Sequence, residues 1–99
     1  MKTNEEKLYN IILPISGTSL KEIKSLYKRR KKQVEKAIEK LKKSPTDFTV
    51  KGIEKLQDNE LGEYSIRISK GDRVLYDVDQ KRKIVYILRA GKHDLYKLS

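Results

Sequence analysis

From Glu63 to Ser99 the chain reads EYSIRISKGDRVLYDVDQKRKIVYILRAGKHDLYKLS, and here its apolar residues recur at a period of two. Tyr64, Ile66 and Ile68 fall on one face and Ser65, Arg67 and Ser69 on the other, as in a half-buried strand. Lys70-Gly71-Asp72 follows as a hairpin turn, with Gly71 expected to supply a positive φ. Arg73 to Val78 is the returning strand, and Asp79 to Lys83 makes a second turn. Lys83 to Ala90 is apolar on both faces, through Ile84, Tyr86 and Leu88 on one and Val85 and Ile87 on the other, which marks a central strand. A three-strand antiparallel meander follows. Arg67, Arg73 and Arg89 lie inside these apolar runs, where solvated loop charges are not expected.

The upstream half supplies what covers the sheet. Leu8 to Ile15 is a strand candidate whose Pro14 donates no ladder hydrogen bond and so belongs at an edge or a strand end. Ser19 with Glu22 matches a capping box and sets an expected helix start. Leu20, Ile23, Leu26 and Tyr27 form one helical stripe, and Val34, Ala37, Ile38 and Leu41 a second. Between the stripes run five cations, Lys28 to Lys32. One helix to Lys43 would put Arg30 and Lys31 on an apolar face; a break near Lys28 to Arg30 gives a helical hairpin instead. Ser44-Pro45 ends the helical region. In Thr46 to Asn59 a short strand and a turn at Gly52 are the only signals. The order of elements predicts an α+β fold. An N-terminal strand and two helices pack on one face of a mainly antiparallel sheet of about four strands, in a single domain spanning residues 1–99.

Composition limits the partners. Twenty-four Lys and Arg against fourteen Asp and Glu give a formal charge of +10, which favours a polyanion, nucleic acid before an acidic protein or membrane surface. Without cysteine there is no disulfide framework and no thiolate site, and the single histidine cannot build a zinc site without carboxylates. The carboxylates of Asp72, Asp77, Asp79 and Asp94 show no metal-ligand spacing. No secretory signal and no apolar run near the roughly 20 residues of a membrane span is present. A soluble cytoplasmic protein without membrane partner is expected.

Phosphate-directed chemistry needs rigid cations, a proton carrier and often an aromatic face. Arg67 and Arg73 flank one hairpin; a three-residue loop pairing Ser69 with Arg73 puts them on one face of the sheet and a two-residue loop on opposite faces. His93 follows the central strand after Gly91, with Lys92 beside it, and its ordinary pKa near 6.5 suits acid–base work. Tyr96 can stack on a base or pack in the core. Tyr64, Tyr76 and Tyr86 alternate in the strands as core residues.

The sequence from Gly62 to Leu98, GEYSIRISKGDRVLYDVDQKRKIVYILRAGKHDLYKL, resembles the C-terminal sheet of the RelE/ParE superfamily of toxins from type II toxin–antitoxin pairs. There a G-x-Y-x-I/L-R/K strand, a Gly turn, an R-x-x-Y strand and an apolar strand ending in G-x-H/R precede a terminal Tyr or Phe. The upstream strand, helices and Ser-Pro extend the likeness over nearly the whole chain. The resemblance implies a toxin held silent by a cognate antitoxin, cutting mRNA on the ribosome without metal or small-molecule cofactor through 2′-hydroxyl attack on the adjacent phosphate. By position, Arg67 orients or activates the nucleophile and Arg73 binds the scissile phosphate. His93, like the histidine of the YafQ and HigB branch, protonates the leaving oxygen, and Tyr96 is the terminal aromatic. Lys92, Arg89, Lys70 and Ser65 complete the expected RNA-contacting set, Ser65 standing where RelE has a second lysine. Two other outcomes fit the same pattern: a ParE-like toxin acting on gyrase, and a basic RNA-binding module without activity.

Overall fold

The computed structural model of the chain describes residues 8–56 and 62–92. Among them the elements run β1 (Asn10–Ile12), α1 (Gly17–Arg29), α2 (Lys31–Lys43), β2 (Ile53–Lys55), β3 (Tyr64–Arg67), β4 (Asp72–Asp79) and β5 (Ile84–Lys92). The strands form one sheet in the order β1-β5-β4-β3-β2. The meander of β3, β4 and β5 is antiparallel, as its turns require, and β2 joins its outer edge antiparallel to β3. Strand β1 lies parallel to β5, the pairing that a long crossover connection permits. The architecture is the expected α+β. The sheet differs from the expectation in having five strands and being mixed.

Helix formation follows the two apolar stripes. Leu26 on α1 and Val34, Ala37 and Leu41 on α2 are buried against Ile53, Ile66, Val74, Tyr76, Val85, Ile87 and Ala90 of the sheet. The helices break at Arg30 alone, whose backbone leaves helical geometry at φ −134° and ψ 47°. Its N–H still donates to the Leu26 carbonyl at 2.8 Å and its carbonyl accepts from the Val34 N–H at 2.9 Å, so one residue closes α1 and opens α2. The break keeps Arg30 out of the apolar stripe, because burying an unpaired guanidinium would cost several kcal/mol, about 3–5 by analogy with broken buried pairs.

The start of α1 corrects the capping-box reading. The helix begins at Gly17, where φ is +85°, and its N-cap Ser16 makes no side-chain bond. Glu22 turns instead to β5: its carboxylate accepts Arg89 Nε at 2.8 Å and Nη2 at 2.7 Å, and also the Ala90 N–H. A bidentate charge-assisted pair outweighs the single bond that a capping box offers. It also satisfies the outer edge of β5 beyond Tyr86, where β1 has already ended.

Tyr76 is the largest wholly buried side chain. Its hydroxyl donates to the Pro45 carbonyl at 2.6 Å, and its ring stacks on Tyr64 with centroids 5.6 Å apart. This ties the sheet centre to the end of α2. No helix among the described residues is long and apolar enough to cross a membrane.

Candidate active site

The hairpin register decides whether the two strand arginines meet. The Ile68 N–H donates to the Asp72 carbonyl at 2.9 Å, leaving Ser69, Lys70 and Gly71 as a three-residue loop. The loop sits one residue earlier than the expected Lys70-Gly71-Asp72 turn, so that Asp72 opens β4 and Arg73 pairs with Arg67 instead of with Ser69. Gly71 does not carry the expected positive φ; the loop is closed by Ser69, whose Oγ donates to Asp72 Oδ2 at 2.8 Å. In the ladder beyond it Arg67 stands directly opposite Arg73. Residues paired across a ladder project to the same face. That face is the one turned away from the helices, since Ile66 and Val74, one position along, are in the main core.

Strand β2 brings in a carboxylate. Glu54 pairs with Ser65, which pairs with Leu75, so Glu54, Ser65, Arg67 and Arg73 share the face. Arg73 reaches across β3, and its Nη1 lies 3.5 Å from Glu54 Oε1; the Arg73 side chain is 7% exposed and that of Glu54 52%. Between them stands Ser65, small enough to leave the crossing open and wholly buried, with an Oγ that has no hydrogen-bond partner among the described residues. Arg67 is exposed. Its backbone is fixed from the turn that precedes β2: the Arg67 N–H donates to the Gly52 carbonyl at 2.9 Å. Gly52 has φ +97°, and a Cβ there would lie 3.4 Å from the Arg67 Cβ, so the turn that seats Arg67 needs glycine.

The arrangement has a definite electrostatic character. Like charges directly opposite in a ladder are destabilising, and this fold places two guanidinium groups there, with the Glu54 carboxylate against Arg73. An anion on this face relieves that repulsion, and planar guanidinium donors match phosphate oxygens in pairs. Glu54, half exposed beside Arg73, places a proton-accepting carboxylate at the edge of this face. Sequence reasoning missed Glu54 because it lies in the stretch without periodicity; its place is set by the pairing of β2 with β3.

The other expected residues are placed as follows. Lys70 is exposed at the hairpin tip, and Lys92 is exposed at the end of β5, opposite Asp72 in register. Arg89 is held by Glu22, and this pairing pulls the Glu22 carboxyl below its usual range against the opposing effect of burial. The positions of His93 and Tyr96 lie outside the described residues. The fold and the site together define a basic α+β domain with a cationic sheet face opposite a helical hairpin.

No protein-family model and no curated protein matches the chain. Solved structures do. A chain of the YoeB–YefM complex from Staphylococcus aureus is 31% identical with a TM-score of 0.58, over 86% of this chain and 97% of that one. The YoeB dimer of the same organism gives 31% and a TM-score of 0.59 over the same shares. The archaeal RelE–RelB complex from Pyrococcus horikoshii is similar in fold, with a TM-score of 0.67 at 21% identity over 89% of this chain and 98% of that one. The chain belongs to the RelE-like toxin superfamily.

Proposed function

We propose that this protein is the toxin of a type II toxin–antitoxin pair and acts as an endoribonuclease on mRNA in the ribosome. The observation that carries the reading is the Arg67–Arg73 ladder pair on the sheet face turned away from the helices, with Glu54 against Arg73. Two adjacent guanidinium groups bind the scissile phosphate and take up the charge that develops as it becomes five-coordinate. Glu54 accepts the proton of the 2′-hydroxyl, whose oxygen forms the new bond to phosphorus. The bond from phosphorus to the 5′-oxygen breaks, and that oxygen takes a proton, a role the family resemblance gives to His93. The products are a 2′,3′-cyclic phosphate and a 5′-hydroxyl. Tyr96, by the same resemblance, holds a base by stacking, while Lys70 and Lys92 contact neighbouring phosphates.

The partner proposed is a cognate antitoxin. The chain resembles subunits of complexes that contain RelB and YefM, and it exposes apolar residues that a free protein would cover. Ile12, Leu13, Ile15 and Tyr27 are 44, 48, 93 and 40% exposed. Two apolar hollows adjoin at Leu13, one lined by Ile12, Ile15 and Leu88 and the other by Ile23, Tyr27, Val34 and Ile38. Contiguous exposed apolar surface of this kind marks a protein-binding face.

Mapping transcript ends after brief induction tests the reading. Codon-phased cuts in translated messages are expected. Intact messages together with DNA cleavage complexes would place the protein with gyrase-directed toxins, and intact messages with unimpaired growth would leave an RNA-binding module.

A further inference from the structure

Asp72 opens β4 immediately before Arg73 and therefore faces the helices. It is 2% exposed. A buried carboxylate in a small core is costly unless its charge is paired, and this one is paired from two parts of the chain. Arg29 Nη2 lies 3.6 Å from Oδ1, and Arg30 Nε lies 3.6 Å from Oδ2. Ser69 donates to Oδ2 from within the turn, and Lys92 is the register partner on β5. Oδ1 accepts no hydrogen bond from the described residues, and on that side the Arg29 guanidinium meets the charge at ion-pair distance. Burial pushes the Asp72 carboxyl up, and the Ser69 bond together with Arg29, Lys92 and Arg30 outweighs it, holding the carboxyl below its usual range.

A carboxylate is not needed to close the turn, since an amide oxygen would accept from Ser69 equally well. The negative charge serves the contact with Arg29 and Arg30. These form the elbow between α1 and α2, so the tip of the β3–β4 hairpin is tied to the helices at this point. The first ladder pair beyond that tip is Arg67 with Arg73. We infer that Asp72 is a positioning residue: through Arg29 and Arg30 it anchors the hairpin tip to the helical elbow and fixes where Arg67 and Arg73 present their guanidinium groups. This rests on the reading of those two arginines as the phosphate-binding pair.

The test is a mutant cycle on Asp72→Asn, which keeps the Ser69 bond and removes the charge, and Arg29→Gln/Arg30→Gln, which changes only half-exposed side chains. Each variant should lower kcat on programmed ribosomes by about ten- to a hundred-fold, the range that misplacement of a reacting group produces. The triple variant should be no slower than the slower parent, because both remove one contact. The Nε–Hε NMR signals of Arg67 and Arg73 in the free protein should move together in Asp72→Asn and in the arginine variant. Rate losses that multiply, or a kcat within two-fold of wild type with unmoved arginine signals, overturn the inference. If wild-type protein cleaves nothing, the nuclease reading fails, and the NMR signals still decide whether Asp72 positions the pair.

Discussion

In the proposed reaction Arg73 and Glu54 carry the most specific chemistry. Replacing Arg73 with Lys keeps the charge but loses the paired planar donors, so Arg73→Lys should remain slow, within about ten-fold of Arg73→Ala in single-turnover cleavage; Arg73→Ala itself should lose on the order of 10²- to 10³-fold. Glu54→Gln should lose about 10²- to 10⁴-fold, the usual worth of a proton acceptor, with ribosome binding kept. Gly52→Ala forces a side chain into a positive φ beside Arg67 and should cost about 1–3 kcal/mol in urea unfolding. The two arginines were legible in the sequence because charges inside apolar alternation stand out. Their meeting was not, since it depends on a loop whose length the residues Ser69 to Asp72 leave ambiguous. Glu54 gave no signal at all. It reaches the site only because a three-residue strand pairs with β3.

The elements are held by polar contacts as specific as the core. Glu22 on α1 grips Arg89 and the edge of β5, and its folded pKa lies below the ordinary 4.5. A depressed carboxylate pKa contributes stability that is complete above the unfolded value and is lost as pH falls through the folded one. Urea midpoints should therefore decline below about pH 4.5 in wild type, and less steeply in Glu22→Gln. An equal slope in both would remove Glu22 from that account. Tyr76→Phe strands the Pro45 carbonyl and should cost about 1–3 kcal/mol. The stripes announced both helices; Arg30 and Lys31 on the apolar face of a single helix suggested a break between them, but with no Gly or Pro to mark it the sequence left one long helix open as well. The Ser19–Glu22 spacing suggested a cap because local sequence cannot show Arg89, 67 residues away, competing for the same carboxylate. β2 was seen only as a short strand, too brief for its periodicity to show which partner it joins.

Across the whole molecule, charge and apolar surface divide the work. With a formal charge of +10, the proposed RNA binding should fall steeply with salt, and the cations that track phosphate can be counted from that slope. The apolar face at Ile12, Leu13, Ile15 and Tyr27 lies on the N-terminal segment and helices, away from the arginine pair. Leu13→Asp with Ile15→Asp should therefore weaken antitoxin capture in co-purification while cleavage persists; loss of both together would mean that the two surfaces are one. The central claim is that the Arg67–Arg73 face, with Glu54, cleaves RNA through the 2′-hydroxyl. Purified protein on ribosomes carrying an mRNA with one 2′-deoxynucleotide at the cleavage position tests it most directly. The account predicts no cut at that position, and a cut in the all-ribose message leaving 2′,3′-cyclic phosphate and 5′-hydroxyl ends that Arg73→Ala abolishes. Cleavage at the deoxynucleotide, or undiminished cleavage by Arg73→Ala, would contradict it.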